Sequence, residues 1–184
     1  MPNTDKKTII LIGMPACGKS TVGVLLAKRL GYRFVDADLI IQEREGRLLQ
    51  DIIQAEGMEG FIQIEEKVNV GLGSKDDRWV IATGGSAVYS PQAMAHFRDI
   101  GQVVYIKISY EDVRRRLGNF SHRGVVMPKG YTLRRLYDER CKLYEQYAHI
   151  IVDSSVSEAE SPRRRRYKDI NQTLESICKA LGVE

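Results

Sequence analysis

Eight residues near the start of the chain, Gly13-Met14-Pro15-Ala16-Cys17-Gly18-Lys19-Ser20, fit the pattern G-x-x-x-x-G-K-[ST]. Glycines at these positions let backbone N–H groups turn toward one point. A helix starting just behind them adds the positive end of its dipole, which makes an anion nest for phosphates. Lys19 would reach the β- and γ-phosphates, and the Ser20 hydroxyl would ligate Mg²⁺. Gly13, Ala16, Cys17, Gly18, Lys19, Ser20 and Thr21 are therefore the candidate nucleotide contacts, with ATP and Mg²⁺ as the cofactors. Cys17 reads as a small residue tolerated in a tight loop rather than as a redox centre.

A second group of candidates is acidic. Asp36-Ala37-Asp38 follows a short predicted strand at 32–35. In an open parallel sheet, ligands bind beyond the carboxyl ends of the strands, so these carboxylates should face the phosphate loop. Strand alternation would put both on one side. One could hold Mg²⁺ through water while the other accepts a hydroxyl proton; the alternative is that Asp38 merely caps the next helix. Arginines form the third group. Arg140 could bind a carboxylate bidentately or pair on the surface with Glu139 or Glu145. Arg114, Arg115 and Arg116 form a run that spacing alone does not resolve, and the run at 163–166 could contact adenine or simply be solvated.

These groups need elements to position them. Thr8–Ile12 is a fully apolar, β-branched run ending at a glycine, as expected of a buried parallel strand. Residues 20–30 carry helical periodicity and stop at Gly31, a C-cap. A second strand is predicted at 32–35, helices at 38–54 (broken near Gly46) and 58–72, and a strand over Trp79–Ala82 closed by Thr83-Gly84-Gly85-Ser86. A short helix should follow at 91–98 with proline in its first turn. A strand at 103–108 leads to Ser109, an N-cap followed by Glu111 and Asp112. Residues 118–131 lack periodicity and read as a mobile loop. The chain then predicts a helix at 133–147, a strand at 149–152, a polar linker at 153–162 and a closing helix at 167–181. Alternating strands and helices imply an α/β fold with a central parallel sheet flanked by helices.

Bulk properties narrow the function. The 184 residues fit one domain, 1–184, large enough to bury its own core. A net charge of +4 suits a nucleotide and an anionic metabolite without arguing for nucleic acid. Three dispersed cysteines with no C-x-x-C pair favour reduced thiols over disulfides or zinc. No apolar run of about 18 residues exists, and the N-terminus lacks an apolar signal region. A soluble, cytoplasmic, monomeric protein with no nucleic-acid or membrane partner is the expectation.

The order of these motifs, a P-loop, Asp-x-Asp after the second strand and Thr-Gly-Gly after the third, resembles the shikimate kinase family. The likeness runs from about residue 8 to 181 and includes Arg140-Cys141-Lys142-Leu143-Tyr144, which is similar to that family's Arg-x-x-Leu-Tyr. The resemblance implies the fold of P-loop and nucleoside-monophosphate kinases, with substrate-binding helices at about 38–72 and a lid at about 114–131. It implies catalytic roles for Lys19, Asp38 as base, and Arg123 as a lid residue closing on the phosphates. Asp36 would be the metal-side carboxylate beside Ser20. Phe61, Gly84, Gly85, Asp38 and Arg140 would contact a small hydroxyl-bearing carboxylate acceptor, with Arg140 on its carboxylate. Water exclusion by a closing lid agrees with phosphoryl transfer.

Departures from the family pattern all fall on the acceptor side. The family's Phe-Arg pair is Phe61-Ile62 here, losing a charge-assisted contact worth about 1.5–3 kcal/mol. Its Gly-Gly-Gly is Gly84-Gly85-Ser86, and its lid Arg-Pro is Arg123-Gly124-Val125-Val126-Met127-Pro128. Shikimate is the leading acceptor; homoserine, whose ammonium would disfavour a second arginine, is the main competitor, with gluconate behind it. A non-catalytic nucleotide-binding protein with a regulatory or RNA partner is the alternative from another class.

Overall fold

The computed structural model describes residues 7–118, 125–155 and 162–183, and in the last segment it describes side chains from residue 170 onward. Five strands, β1 (Thr8–Ile12), β2 (Arg33–Asp36), β3 (Trp79–Ala82), β4 (Gly101–Lys107) and β5 (Ile150–Asp153), form one sheet in the order β2-β3-β1-β4-β5. Every pairing is parallel. All five residues of β1 are buried, and β4 is buried from Gly101 to Ile106. A central strand covered on both faces is largely apolar along its length, which is why these runs show no alternation, Thr8 and Gln102 being their buried polar residues. Each fully buried Ile, Val or Leu contributes roughly 1.5–3 kcal/mol relative to exposure.

Helices α1 (Lys19–Leu30), α2 (Ala37–Glu45), α3 (Leu49–Val70), α4 (Pro91–Ile100), α5 (Tyr110–Leu117), α6 (Leu133–Tyr147) and α7 (Pro162–Leu181) connect and cover the strands, with a 3₁₀ turn at Ala87–Tyr89. Their ends follow the expected chemistry. Gly31 caps α1 in the left-handed region, Ser90 caps α4 with Pro91 in its first turn, Ser109 caps α5, and Thr132 caps α6. The first turn of α1 carries no acidic side chain, so the positive end of its dipole stays uncompensated for an anion.

Three expectations are corrected. The break expected near Gly46 is present, but the part of the 38–54 helix beyond it is not separate from the helix expected at 58–72: α3 runs through both, across an interruption at Gly57 (φ 68°, ψ −175°). The closing helix begins at Pro162 and so includes the arginine run, because arginine is a good helix former and proline suits a first turn. Asp36 and Asp38 do not share a face by strand alternation. Asp36 ends β2 and caps α2, its carboxylate accepting from the Asp38 N–H, while Asp38 lies in the first turn of α2. Among the described residues no helix is long and apolar enough to cross a membrane.

Parallel strands place their carboxyl ends together. The chain after β1 enters the phosphate loop, that after β2 gives Asp36 and Asp38, and that after β3 gives Thr83 to Ser86. Strand order reverses at β1, so the crevice expected of an open α/β sheet opens above these three ends.

Candidate active site

A cavity of about 510 Å³ occupies that crevice. The phosphate loop and the start of α1 form one wall, and Asp38, Phe61, Gly84, Gly85, Ser86 and Arg140 line the other. Gly13 (φ 146°) makes the loop's close approach possible, since a Cβ there would lie 2.7 Å from the Ile106 carbonyl oxygen. Lys19 is 8% exposed, and its Nζ donates to the carbonyls of Gly13 (2.8 Å) and Met14 (3.0 Å), holding the charge inside the loop. Cys17 is buried with its Sγ 3.7 Å from that ammonium.

The Ser20 hydroxyl donates to Asp36 Oδ2 at 2.6 Å. A hydroxyl and a carboxylate this close are hard oxygen donors of the kind Mg²⁺ takes; waters and phosphate oxygens would complete its shell. Two protein ligands with the rest from water and phosphate is an ordinary arrangement for this ion, and no group of three or more His, Cys, Asp or Glu side chains suited to a metal occurs among the described residues. The residues present therefore fit the ion.

Asp38 is half-buried, and its Oδ1 is shielded from solvent with no hydrogen-bond partner among the described residues. Burial pushes its carboxyl up to about 6; the Asp36 charge adds to this and the Lys19 charge opposes it. A second carboxyl that the sequence reading did not single out lies beside it. Glu65 is 1% exposed, neither of its oxygens has a partner in hydrogen-bond geometry among the described residues, and burial pushes it up to about 8. The nearby Ser86 hydroxyl and the Arg140 and Lys19 charges favour its ionised form without offsetting that burial, and Asp38 works against it. Gly84 separates the two: a Cβ on it would fall 2.2 Å from Glu65 Oε1 and 2.9 Å from Asp38 Oδ1. Only a glycine lets the backbone edge pass between these carboxyls. Glu65 was detectable in principle, because it stands four residues after Phe61 on the buried face of α3.

Arg140 is fully buried. Its Nε donates to the Tyr89 hydroxyl (3.3 Å) and its Nη2 to the Val126 carbonyl (2.5 Å), while Nη1 lies 3.1 Å from where a Gly85 Cβ would be. The surface ion pair considered for it does not form. Glu139 accepts from Tyr89 and Tyr131, and Glu145 pairs with Lys107. No carboxylate among the described residues lies within salt-bridge distance of Arg140. Of the arginine run, Arg114 turns outward to Glu111, whereas Arg115 and Arg116 line the cavity. Arg116 Nη1 stands 3.5 Å from the carbonyls of both Ala16 and Cys17. Phe61 is buried against the site, and Ile62 is half-buried beside it. Arg123 and Gly124 lie outside the described residues, as do the side chains of 163–166.

With this geometry in place, a shikimate kinase family model matches residues 15–178. The chain belongs to the shikimate kinase family. Members are ATP-dependent phosphotransferases with an alcohol group as acceptor, so this shikimate kinase family chain is an enzyme of that class. It is similar to the shikimate kinase of Paracidovorax citrulli, 36% identical over 148 residues, covering 79% of this chain and 81% of that protein. The Nitrosomonas europaea shikimate kinase is 34% identical over 174 residues, covering 94% and 82%. Among solved structures, the Acinetobacter baumannii shikimate kinase in complex with shikimate superposes with a TM-score of 0.76 at 28% identity, covering 95% of this chain and 94% of that one. The Aquifex aeolicus shikimate kinase gives 0.70 at 30% identity, covering 95% and 99%.

Proposed function

We propose that this enzyme transfers the γ-phosphoryl group of ATP to a hydroxyl of shikimate, acting as a cytoplasmic monomer built on one kinase domain. The observation that carries the reading is the pairing, across Gly84-Gly85, of a buried guanidinium with no carboxylate partner among the described residues and an Asp38 carboxylate whose shielded Oδ1 has no donor among them. A buried charge without a counter-ion costs several kcal/mol, so Arg140 calls for an anion from outside the protein. The carboxylate of a hydroxy acid fits, since a guanidinium fork binds it through two N–H groups. Asp38 then stands where the acceptor hydroxyl must give up its proton.

The proton accounting is simple. The acceptor O–H bond breaks toward Asp38 as the oxygen bonds to the γ-phosphorus and the bond to ADP opens. With its carboxyl near 6, Asp38 is ionised at neutral pH and remains basic enough to take that proton. Glu65, near 8, stays largely protonated there, so it adds little negative charge beside the incoming carboxylate. Lys19 and the loop N–H groups balance charge on the transferred group. Ser20 and Asp36 would hold Mg²⁺, which neutralises phosphate charge when bound.

One observation favours a second acceptor. The unpartnered oxygens of Glu65 and Asp38, with Ile62 in place of a basic residue, would suit the ammonium of homoserine. The primary reading is tested by Asp38→Asn and Arg140→Leu. Asp38→Asn should lower kcat by roughly 10²–10⁴-fold. Arg140→Leu should raise the acceptor KM at least about ten-fold while leaving the ATP KM unchanged. Loss of ATP binding with an unaltered acceptor KM would overturn the assignment of Arg140.

A further inference from the structure

We propose that Tyr89 is the positioning residue of the acceptor site, fixing the Arg140 guanidinium and keeping Glu139 one hydrogen bond away from it. This rests on Arg140 as the acceptor's carboxylate ligand.

Arg140 and Glu139 are consecutive on α6 and leave the helix in different directions, yet both reach the same phenol, which brings their charged ends close enough to pair if nothing lay between them. They do not pair. The Tyr89 hydroxyl sits between them, accepting from Arg140 Nε at 3.3 Å and donating to Glu139 Oε1 at 2.7 Å. The other Glu139 oxygen accepts from the Tyr131 hydroxyl at 3.1 Å, so that carboxylate is satisfied by two phenols and needs no guanidinium. The Tyr89 ring also lies under the guanidinium, 5.1 Å from the ring centroid to Cζ. Together with the bond from Nη2 to the Val126 carbonyl, these contacts hold the guanidinium at its Nε edge and at one Nη, leaving Nη1 directed toward Gly85 and the cavity.

The consequence is functional. A direct Glu139–Arg140 pair would neutralise the fork before any acceptor arrived, and the acceptor carboxylate would then have to compete with a carboxylate already in place. The phenol passes on only a dipole, so the positive charge stays available. A side chain held by a ring and a hydroxyl also loses little freedom when the acceptor binds. Tyr89 is half-buried at the end of the 3₁₀ turn that follows Gly84 to Ser86. The segment that places the acceptor's backbone contacts therefore also orients its carboxylate ligand.

The test is initial-rate kinetics on the full chain with shikimate and ATP, comparing wild type, Arg140→Leu, Tyr89→Phe and Glu139→Gln. Thermal melts would check that each variant is folded. Tyr89→Phe keeps the ring and removes the hydroxyl, freeing Glu139 to approach Arg140. It should raise the shikimate KM roughly ten-fold, with kcat within about two-fold and the ATP KM unchanged. Adding Glu139→Gln to Tyr89→Phe removes the competing charge and should recover most of that loss. A merely structural Tyr89 would move both KM values or neither, and the double variant would show no rescue; either result overturns the proposal. If Arg140→Leu leaves the shikimate KM unaltered, the reading of Arg140 fails first and the proposal with it. If Arg140→Leu raises that KM while Tyr89→Phe does not, only the proposal fails.

Discussion

Glu65 offers a measurable consequence of its burial. In the unfolded chain its carboxyl titrates near the ordinary 4.5, whereas in the folded protein burial pushes it up to about 8. Between these values the folded state holds a proton that the unfolded state has released. Stability contributed by the protonated group is complete below about 4.5, declines as pH rises through the window, and levels off above about 8. Each ten-fold difference in proton affinity between the two states is worth about 1.4 kcal/mol. The decline is therefore on the order of 3–5 kcal/mol, a large share of a typical domain's stability. Glu65→Gln replaces the carboxyl with a neutral group of the same shape and removes the decline. The assay is urea unfolding of the free enzyme without Mg²⁺ or nucleotide, in steps from pH 5 to pH 8. The variant should match wild type near pH 5 and exceed it progressively toward pH 8, with an unchanged m value. Asp38 adds a smaller decline at lower pH, shared by both proteins. Parallel curves, differing by a constant within about 0.5 kcal/mol, would refute the claim that this carboxyl is buried without a partner.

Two further perturbations act on the same corner. Gly84→Ala would set a methyl group 2.2 Å from Glu65 Oε1 and 2.9 Å from Asp38 Oδ1, so the base must move. Turnover per acceptor, kcat/KM, should fall about 10²-fold while nucleotide affinity, read by equilibrium titration, is retained. Ile62→Arg places a guanidinium one turn before Glu65 on α3. It should lower the shikimate KM roughly ten-fold and flatten the pH dependence of stability, both measurable on one protein preparation.

How much of this was legible in the sequence varies by residue, for physical reasons. The phosphate loop was readable because its function depends on backbone N–H groups and a helix start, both set locally by glycines and by the apolar run before them. The parallel sheet followed from buried runs such as Thr8–Ile12, and the caps at Ser109 and Gly31 from local chemistry. Asp38 was legible from its place beyond the carboxyl end of β2, which brings it to the phosphate loop. The strand alternation invoked beside that does not apply, because Asp38 lies in the first turn of α2. Arg140 was ambiguous because a position on a helix does not say which face is buried, and the network through Tyr89 joins residues 51 positions apart. Glu65 was passed over because a glutamate in a helix is normally solvated. Its unusual state depends on contact with the β3 turn, which is a tertiary fact.

The central claim is that this site phosphorylates a hydroxy acid, with shikimate as acceptor. The most direct measurement is ATP consumption by the purified protein with Mg²⁺, comparing kcat/KM for shikimate, homoserine and gluconate at equal concentrations. The account predicts the highest value for shikimate, with Arg140 alone supplying the carboxylate contact that Ile62 does not. A higher value for homoserine, or turnover that no acceptor increases, would contradict it.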